Sequence, residues 1–340
     1  MSELLVLNHE EVKRLLPMAE CVELMESVLA DLARGSVWQP LRFVIRPPEE
    51  PSLMGLMPAH RSAPTASYGL KVICIFPSNA ERGLDLHQGG VLLFDGETGV
   101  LRALLDASAV TAIRTAAVSG VATRLLARKD ARRLAILGAG VQARSHLEAM
   151  AAVGDFEAAR IWSRTPERST ALAAEARAPF PVEAVETAEE ALRGADVVVT
   201  ATTAREPIVR REWLSPGAHV NAVGSSIPTT RELDADTVAA AALFADARES
   251  MVNEGGDYLF AVREAGIGPD HIRAELGEVL IGEQEGRRSD DELTVFKSLG
   301  LAVEDLAAAH HVYQKAAANG TGRWIVLGGS HAETHAELHA

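Results

Sequence analysis

Three cations stand among apolar neighbours in the first third of the chain. They are Arg42 in a short β-like run, Lys71 in the middle of Tyr-Gly-Leu-Lys-Val-Ile-Cys-Ile-Phe, and Arg114 in an alanine-rich helix. A cation inside an apolar strand is expensive unless it is paired. Lys71 therefore needs an anion or a function, the ordinary alternative being a lysine that snorkels from a sheet face. Arg42 reads otherwise as an edge-strand residue and Arg114 as a solvated helix residue. Feeding one site beside a nicotinamide, the three would clamp a carboxylate. Arginine supplies the bidentate fork, and lysine a proton carrier whose pKa its surroundings can tune.

A second cluster points to the nicotinamide. In RLAILGAGVQA, residues 133–143, an apolar run meets Gly138, Ala139 and Gly140, then a helix-forming segment. Strand, glycine turn and helix in that order make the fingerprint for a dinucleotide pyrophosphate. Gly138 permits the tight turn, Gly140 lets the backbone approach a phosphate, and Ala143 lets helix and strand pack closely. The helix start offers unpaired N–H groups to the phosphates. An ordinary tight βα turn would look similar, so the next strand decides. Where an NAD site places Asp or Glu, this chain has Ser163-Arg164-Thr165, with Arg168 one helical turn on. A guanidinium and two hydroxyls suit a 2′-phosphate, and the cofactor expected is NADP(H).

Composition sets the frame for these sites. The chain has 340 residues, long enough for two domains, with 47% hydrophobic and 24% charged residues, as in a soluble globular enzyme. A formal net charge of −14 argues against a nucleic-acid partner. Cys21 and Cys74 form no disulfide framework and no zinc-ligand spacing, so no metal is expected. Without an apolar run of membrane-spanning length or a basic leader, a cytoplasmic location is expected.

The elements that must position the sites follow from periodicity. Residues 8–35 carry apolar positions at helical spacing with a break at Pro17, giving two helices. Short β-like pieces at 41–45, 52–57, 68–76, 90–95 and 101–105 build an α+β domain. A helix over 107–127 leads into the glycine-turn strand, followed by strands at 160–163, 195–200, 219–223 and 242–245 alternating with helices. That alternation implies a parallel sheet. A long helix is expected over 293–318 and a last strand over 321–328, which could return to the first domain. His331, His335 and His339 read as a solvated tail rather than a metal site.

A series of motifs resembles one known family, the ornithine cyclodeaminase/mu-crystallin family. It runs from His87-Gln88-Gly89 and LLFDGETGVLRALLDASAVTAIRTAAVSG through GAGVQA, WSRT and NAVGSS to TVFKSLGLAVEDLAAA. The resemblance implies an α/β chain with a Rossmann dinucleotide-binding domain (116–318) inserted into an α+β substrate-binding and dimerisation domain (1–115 plus 319–330), before a tail (331–340). It also implies a homodimer. By position, Arg42, Lys71 and Arg114 match the carboxylate-binding and catalytic cations. His87, Thr115 and Arg114 match positions on the cofactor side. Gly138, Ala139, Gly140, Val141 and Gln142 match the pyrophosphate turn, and Ser163, Arg164, Thr165 and Arg168 the 2′-phosphate side. Thr200, Ala201, Thr202, Val223, Gly224 and Ser225 would border the ribose and nicotinamide, with Lys297 and Ser298 closing that pocket.

Two positions depart from the cyclodeaminase pattern. Ser226 joins the candidate catalytic set by position, but it stands where cyclodeaminases carry an aspartate, and a hydroxyl is no general base near neutral pH. Met57 stands where they hold the distal amine with an acid. Both changes point to the ketimine-reductase branch: NADPH-dependent reduction of a C=N bond beside a carboxylate, on an imino acid substrate. A cyclodeaminase, an alanine-type dehydrogenase, and a small-molecule binder with little turnover are the alternatives.

Overall fold

The structure, a computed structural model, describes residues 2–63 and 65–327. The three tail histidines lie outside that span. The described residues divide into two compact units, one of 2–17, 36–111 and 302–327, the other of 18–35 and 112–301. No described helix is long and apolar enough to cross a membrane.

The first unit is built on an eight-stranded sheet. Its order is Arg323–Leu327, Ser2–Leu7, Leu101–Asp106, His87–Asp95, Ser67–Ile75, Leu53–Arg61 and Val37–Trp38, with Phe43–Ile45 also paired to Leu53–Arg61. Alternation decides its faces. Gly55, Met57, Ala59, Gly69, Lys71, Val91, Leu93, Ala103 and Leu105 are buried, while the residues between them are half-exposed. Helix Ala302–Asn319 covers the buried face and belongs to this unit, whereas the sequence reading had run the nucleotide-binding segment through to 318.

Two expectations for this unit change. Arg42 lies one residue ahead of strand Phe43–Ile45, not within a strand. Ser2–Leu7 is a strand that the acidic, amphipathic N-terminus did not reveal, paired parallel to Leu101–Asp106 and antiparallel to Arg323–Leu327.

The second unit carries a parallel sheet. Its order is Val182–Ala184, Ala158–Trp162, Arg133–Leu137, Val197–Thr200, His219–Ala222, Thr294–Lys297, Ala242–Ala245 and Ile272–Glu275. Numbered in chain order from the glycine-turn strand, the sheet reads 3-2-1-4-5-8-6-7. Its first five positions have the order of a doubly wound dinucleotide fold, and Thr294–Lys297 is inserted between the fifth and sixth strands. The helix expected from 293 fails at its start. Thr294–Lys297 is a fully buried strand, and the helix begins only at Ala302. A β-branched and aromatic run buried on both faces takes a central strand, and Gly300, at φ +80°, turns the chain before the helix.

Candidate active site

In the first unit the anion that Lys71 required is Asp305. Lys71 sits mid-strand with Met57 and Val91 directly opposite in register. Its Nζ lies 2.7 Å from Asp305 Oδ2, and the two side chains are only 2% and 1% exposed. Asp305 comes from the first turn of helix Ala302–Asn319, where Val303 N donates to Gln39 Oε1 at 2.9 Å. Two charges leave water here, and only close pairing offsets that cost. The pairing keeps an ammonium available in an apolar setting, as proton donation requires. Arg42 is half-buried, and His87 is exposed at the first position of strand His87–Asp95.

In the second unit Arg114 is 3% exposed and Thr115 8%. Arg114 packs against the backbone of Gly300, where a Cβ would stand 2.7 Å from Nη1. That turn is held in place because Leu299 N and Gly300 N donate to Asp246 Oδ2 at 2.6 and 2.7 Å. At φ +80° the position favours glycine, and a Cβ there would also press on the Arg114 guanidinium.

The glycine turn has the shape its sequence demanded. Gly138 adopts φ +128°, and a Cβ on it would lie 2.4 Å from the Ala201 carbonyl. Ala139 follows, half-buried. Gly140 caps helix Val141–Val153 without a side-chain bond, and a Cβ added there would meet nothing within 4 Å. Val141 is exposed and Gln142 half-buried in that first turn. This open cradle of helix-start amides fits a pyrophosphate. At the next strand end, Ser163 Oγ donates to Thr165 O and accepts from Thr165 N, both at 3.1 Å. Arg164 and Arg168 are exposed, and neither makes an ion pair among the described residues.

The turns after Val197–Thr200 and His219–Ala222 converge on Glu232, which sequence reasoning missed. Its carboxylate accepts from Thr200 Oγ1, Thr202 N, Thr202 Oγ1 and Gly224 N, each at 2.7 Å. Ala201 and Val223 lie in the same two turns. Glu232 N and Leu233 N donate to Asp257 Oδ1 at 2.7 and 2.9 Å. Lys297 Nζ lies 3.0 Å from Asp257 Oδ2 and donates to Ala222 O at 3.1 Å. Its ammonium is thus committed to this buried triad, while the next residue, Ser298, continues the backbone ladder to Ala222 at 3.0 Å. Burial pushes the Glu232 pKa up, against the Lys297 charge. Ser225 is buried on Thr230, and Ser226 beside it is half-buried.

The signal for Glu232 and Asp305 was weak. Each stands among other acids, Asp305 next to Glu304 and Glu232 two residues before Asp234, and the lysine that each pair or triad relies on lies far away in sequence. Among the described residues no group of His, Cys, Asp and Glu is placed to hold a metal.

One unit thus buries a lysine ion pair on a mixed sheet, and the other is a dinucleotide-type α/β fold. A family model for the ornithine cyclodeaminase/mu-crystallin family matches residues 2–320, and the chain belongs to that family. Ketimine reductase mu-crystallin of Mus musculus is 42% identical over 292 residues, 85% of this chain and 90% of the mouse protein. The structure of Thermococcus litoralis Δ1-pyrroline-2-carboxylate reductase in complex with NADH and L-proline superposes with a TM-score of 0.91 at 37% identity. It covers 94% of this chain and 99% of that one. An archaeal alanine dehydrogenase dimer with bound NAD gives a TM-score of 0.90 at 33% identity, over 96% of this chain and 100% of its own.

Proposed function

We propose that this protein is a nicotinamide-dependent oxidoreductase that reduces a C=N bond beside a carboxylate, turning a ketimine or cyclic imino acid into an L-amino acid. The observation that carries the reading is Lys71, a buried ammonium held on Asp305 in a chain whose other unit has the dinucleotide cradle. Bound nicotinamide supplies the hydride. Lys71 supplies the proton to the imine nitrogen or keeps it protonated; Arg42 and Arg114 are each assigned to carboxylate binding by their match to the family. The apolar Met57, 6% exposed and opposite Lys71, offers nothing to the distal amine of a diamine. Ser226 makes no hydrogen bond to an activating base among the described residues, and a bare hydroxyl is no general base for deamination. The reductions of mouse mu-crystallin and of the archaeal pyrroline enzyme, as their names state them, support the same chemistry.

The direct test follows cofactor oxidation with Δ1-piperideine-2-carboxylate and Δ1-pyrroline-2-carboxylate. Turnover on either supports the reading. Ammonia release from ornithine without imine reduction would replace it with a cyclodeaminase.

We assign NADP(H) as the preferred cofactor, because Arg164 and Arg168 are exposed, make no ion pair among the described residues, and flank the turn where a carboxylate would select NAD. The solved relatives hold NADH and NAD, so the choice turns on this chain's own residues. Arg164→Asp should reverse a preference for NADPH over NADH. Equal affinities in the wild type would remove the assignment.

A homodimer is the assembly we favour. Phe43, Val44, Ile45, Trp324, Ile325 and Val326 are 44–56% exposed on edge strands of the first sheet. Such an apolar edge calls for a partner. Cys21 and Cys74 form no disulfide, which accords with a reducing, cytoplasmic setting.

A further inference from the structure

We propose that the buried Glu232–Asp257–Lys297 triad carries one net negative charge at the strand ends that would receive the nicotinamide half of the cofactor, and favours its oxidised, cationic form. The inference rests on the reading of this unit as a nicotinamide-binding fold.

Placement follows from topology. In a parallel sheet that begins 3-2-1-4-5 a dinucleotide spans the carboxyl ends of the strands across the point where the order reverses. Ser163–Thr165, at the end of the second strand, takes the adenosine half. The other half then falls to the ends of Val197–Thr200 and His219–Ala222, the two turns that Glu232 joins.

The charge state follows from the hydrogen bonds. The amides of Thr202 and Gly224 can only donate. Thr202 Oγ1 accepts from Ala204 N at 3.2 Å, so its own proton is left for Glu232. Three obligatory donors thus converge on the carboxylate, with Thr200 Oγ1 as a fourth. Burial and the Asp257 charge push its pKa up, and these donors together with the Lys297 charge oppose that rise and favour the anion. Asp257, with two amides and an ammonium, is likewise an anion. Lys297 offsets one of the two charges. The three residues are 0%, 2% and 1% exposed, so solvent screens them little.

The consequence is chemical. When hydride leaves with its electron pair, the neutral dihydronicotinamide becomes a cationic ring. A fixed anion in a low-dielectric interior stabilises that product and the transition state that leads to it, without reorganising. A purely structural Glu232 would stitch the two turns and weaken both cofactor forms alike when removed.

The test is binding of NADP⁺ and of NADPH to the purified protein without substrate, by calorimetry or fluorescence. Glu232→Gln should raise the ratio Kd(NADP⁺)/Kd(NADPH) by roughly tenfold, the scale expected for one screened unit charge. Glu232→Asp, which keeps the charge, should restore most of the wild-type ratio. Lys297→Met deepens the negative charge and should lower the ratio, and it decides the matter if Glu232→Gln does not fold. A folded Glu232→Gln protein with the wild-type ratio, or Lys297→Met with an unchanged or raised one, overturns the proposal. If wild type binds neither form, the nicotinamide reading itself fails.

Discussion

Two buried lysines serve the two units in opposite ways. Lys71 faces Asp305 across a strand–helix contact, one charge against one, and both side chains belong to elements rather than turns. Lys297 is held in a triad whose two carboxylates also accept six hydrogen bonds from backbone or hydroxyl donors, four on Glu232 and two on Asp257, at the ends of parallel strands. The first arrangement leaves a proton carrier whose charge is held by a carboxylate from a helix packed on its strand. The second is a rigid fixture whose charge is tied to the backbone. A buried lysine thus reads as chemistry or as framework according to what else its partner binds.

Stability should separate them most sharply. Asp257→Ala strands Lys297 and also the amides of Glu232 and Leu233, and is expected to cost more than about 5 kcal/mol. Asp305→Ala strands Lys71 and should cost about 3–5 kcal/mol by urea unfolding. Joining it with Lys71→Met should return much of that loss, because removing both charges is far cheaper than removing one. Equal losses for the two aspartates would erase the distinction.

Activity should separate them next. Lys71→Met is expected to leave NADPH binding intact while imine reduction falls by roughly 10²-fold or more, the usual effect of removing a positioned acid. A raised KM with unchanged kcat would reduce Lys71 to carboxylate binding.

Acid should act on the second unit through two buried histidines. Burial lowers His146 to about 4, and burial with the Arg287 charge lowers His219 to about 3. Unfolded, each takes its proton near 6.5. Below that pH the unfolded chain binds more protons. Stability is therefore complete above about pH 6.5 and falls as the pH drops towards 4 and then 3, by up to about 1.4 kcal/mol per unit for each histidine. Calorimetric Tm values across pH 7 to 4 report the slope. His146→Asn, which can still donate to Gln142 O as His146 Nδ1 does at 2.7 Å, should flatten it.

Local sequence carried much of this. The glycine turn, the Ser-Arg-Thr strand end and the cation in an apolar strand are each readable because their physics is short-ranged. A positive φ, a helix start and the cost of a buried charge are all set by a few neighbouring residues. The strand at Thr294–Lys297 was misread because a short apolar run carries no periodicity of its own, and burial between two other strands decided it. Lys71 announced that it needed an anion, but that this was Asp305 depended on how helix Ala302–Asn319 lies on the first sheet. Glu232 likewise became a hub only where two strand ends, separate in sequence, came side by side. Side-chain chemistry states what a buried charge requires, and which group answers it is a matter of distance, which only the folded chain sets.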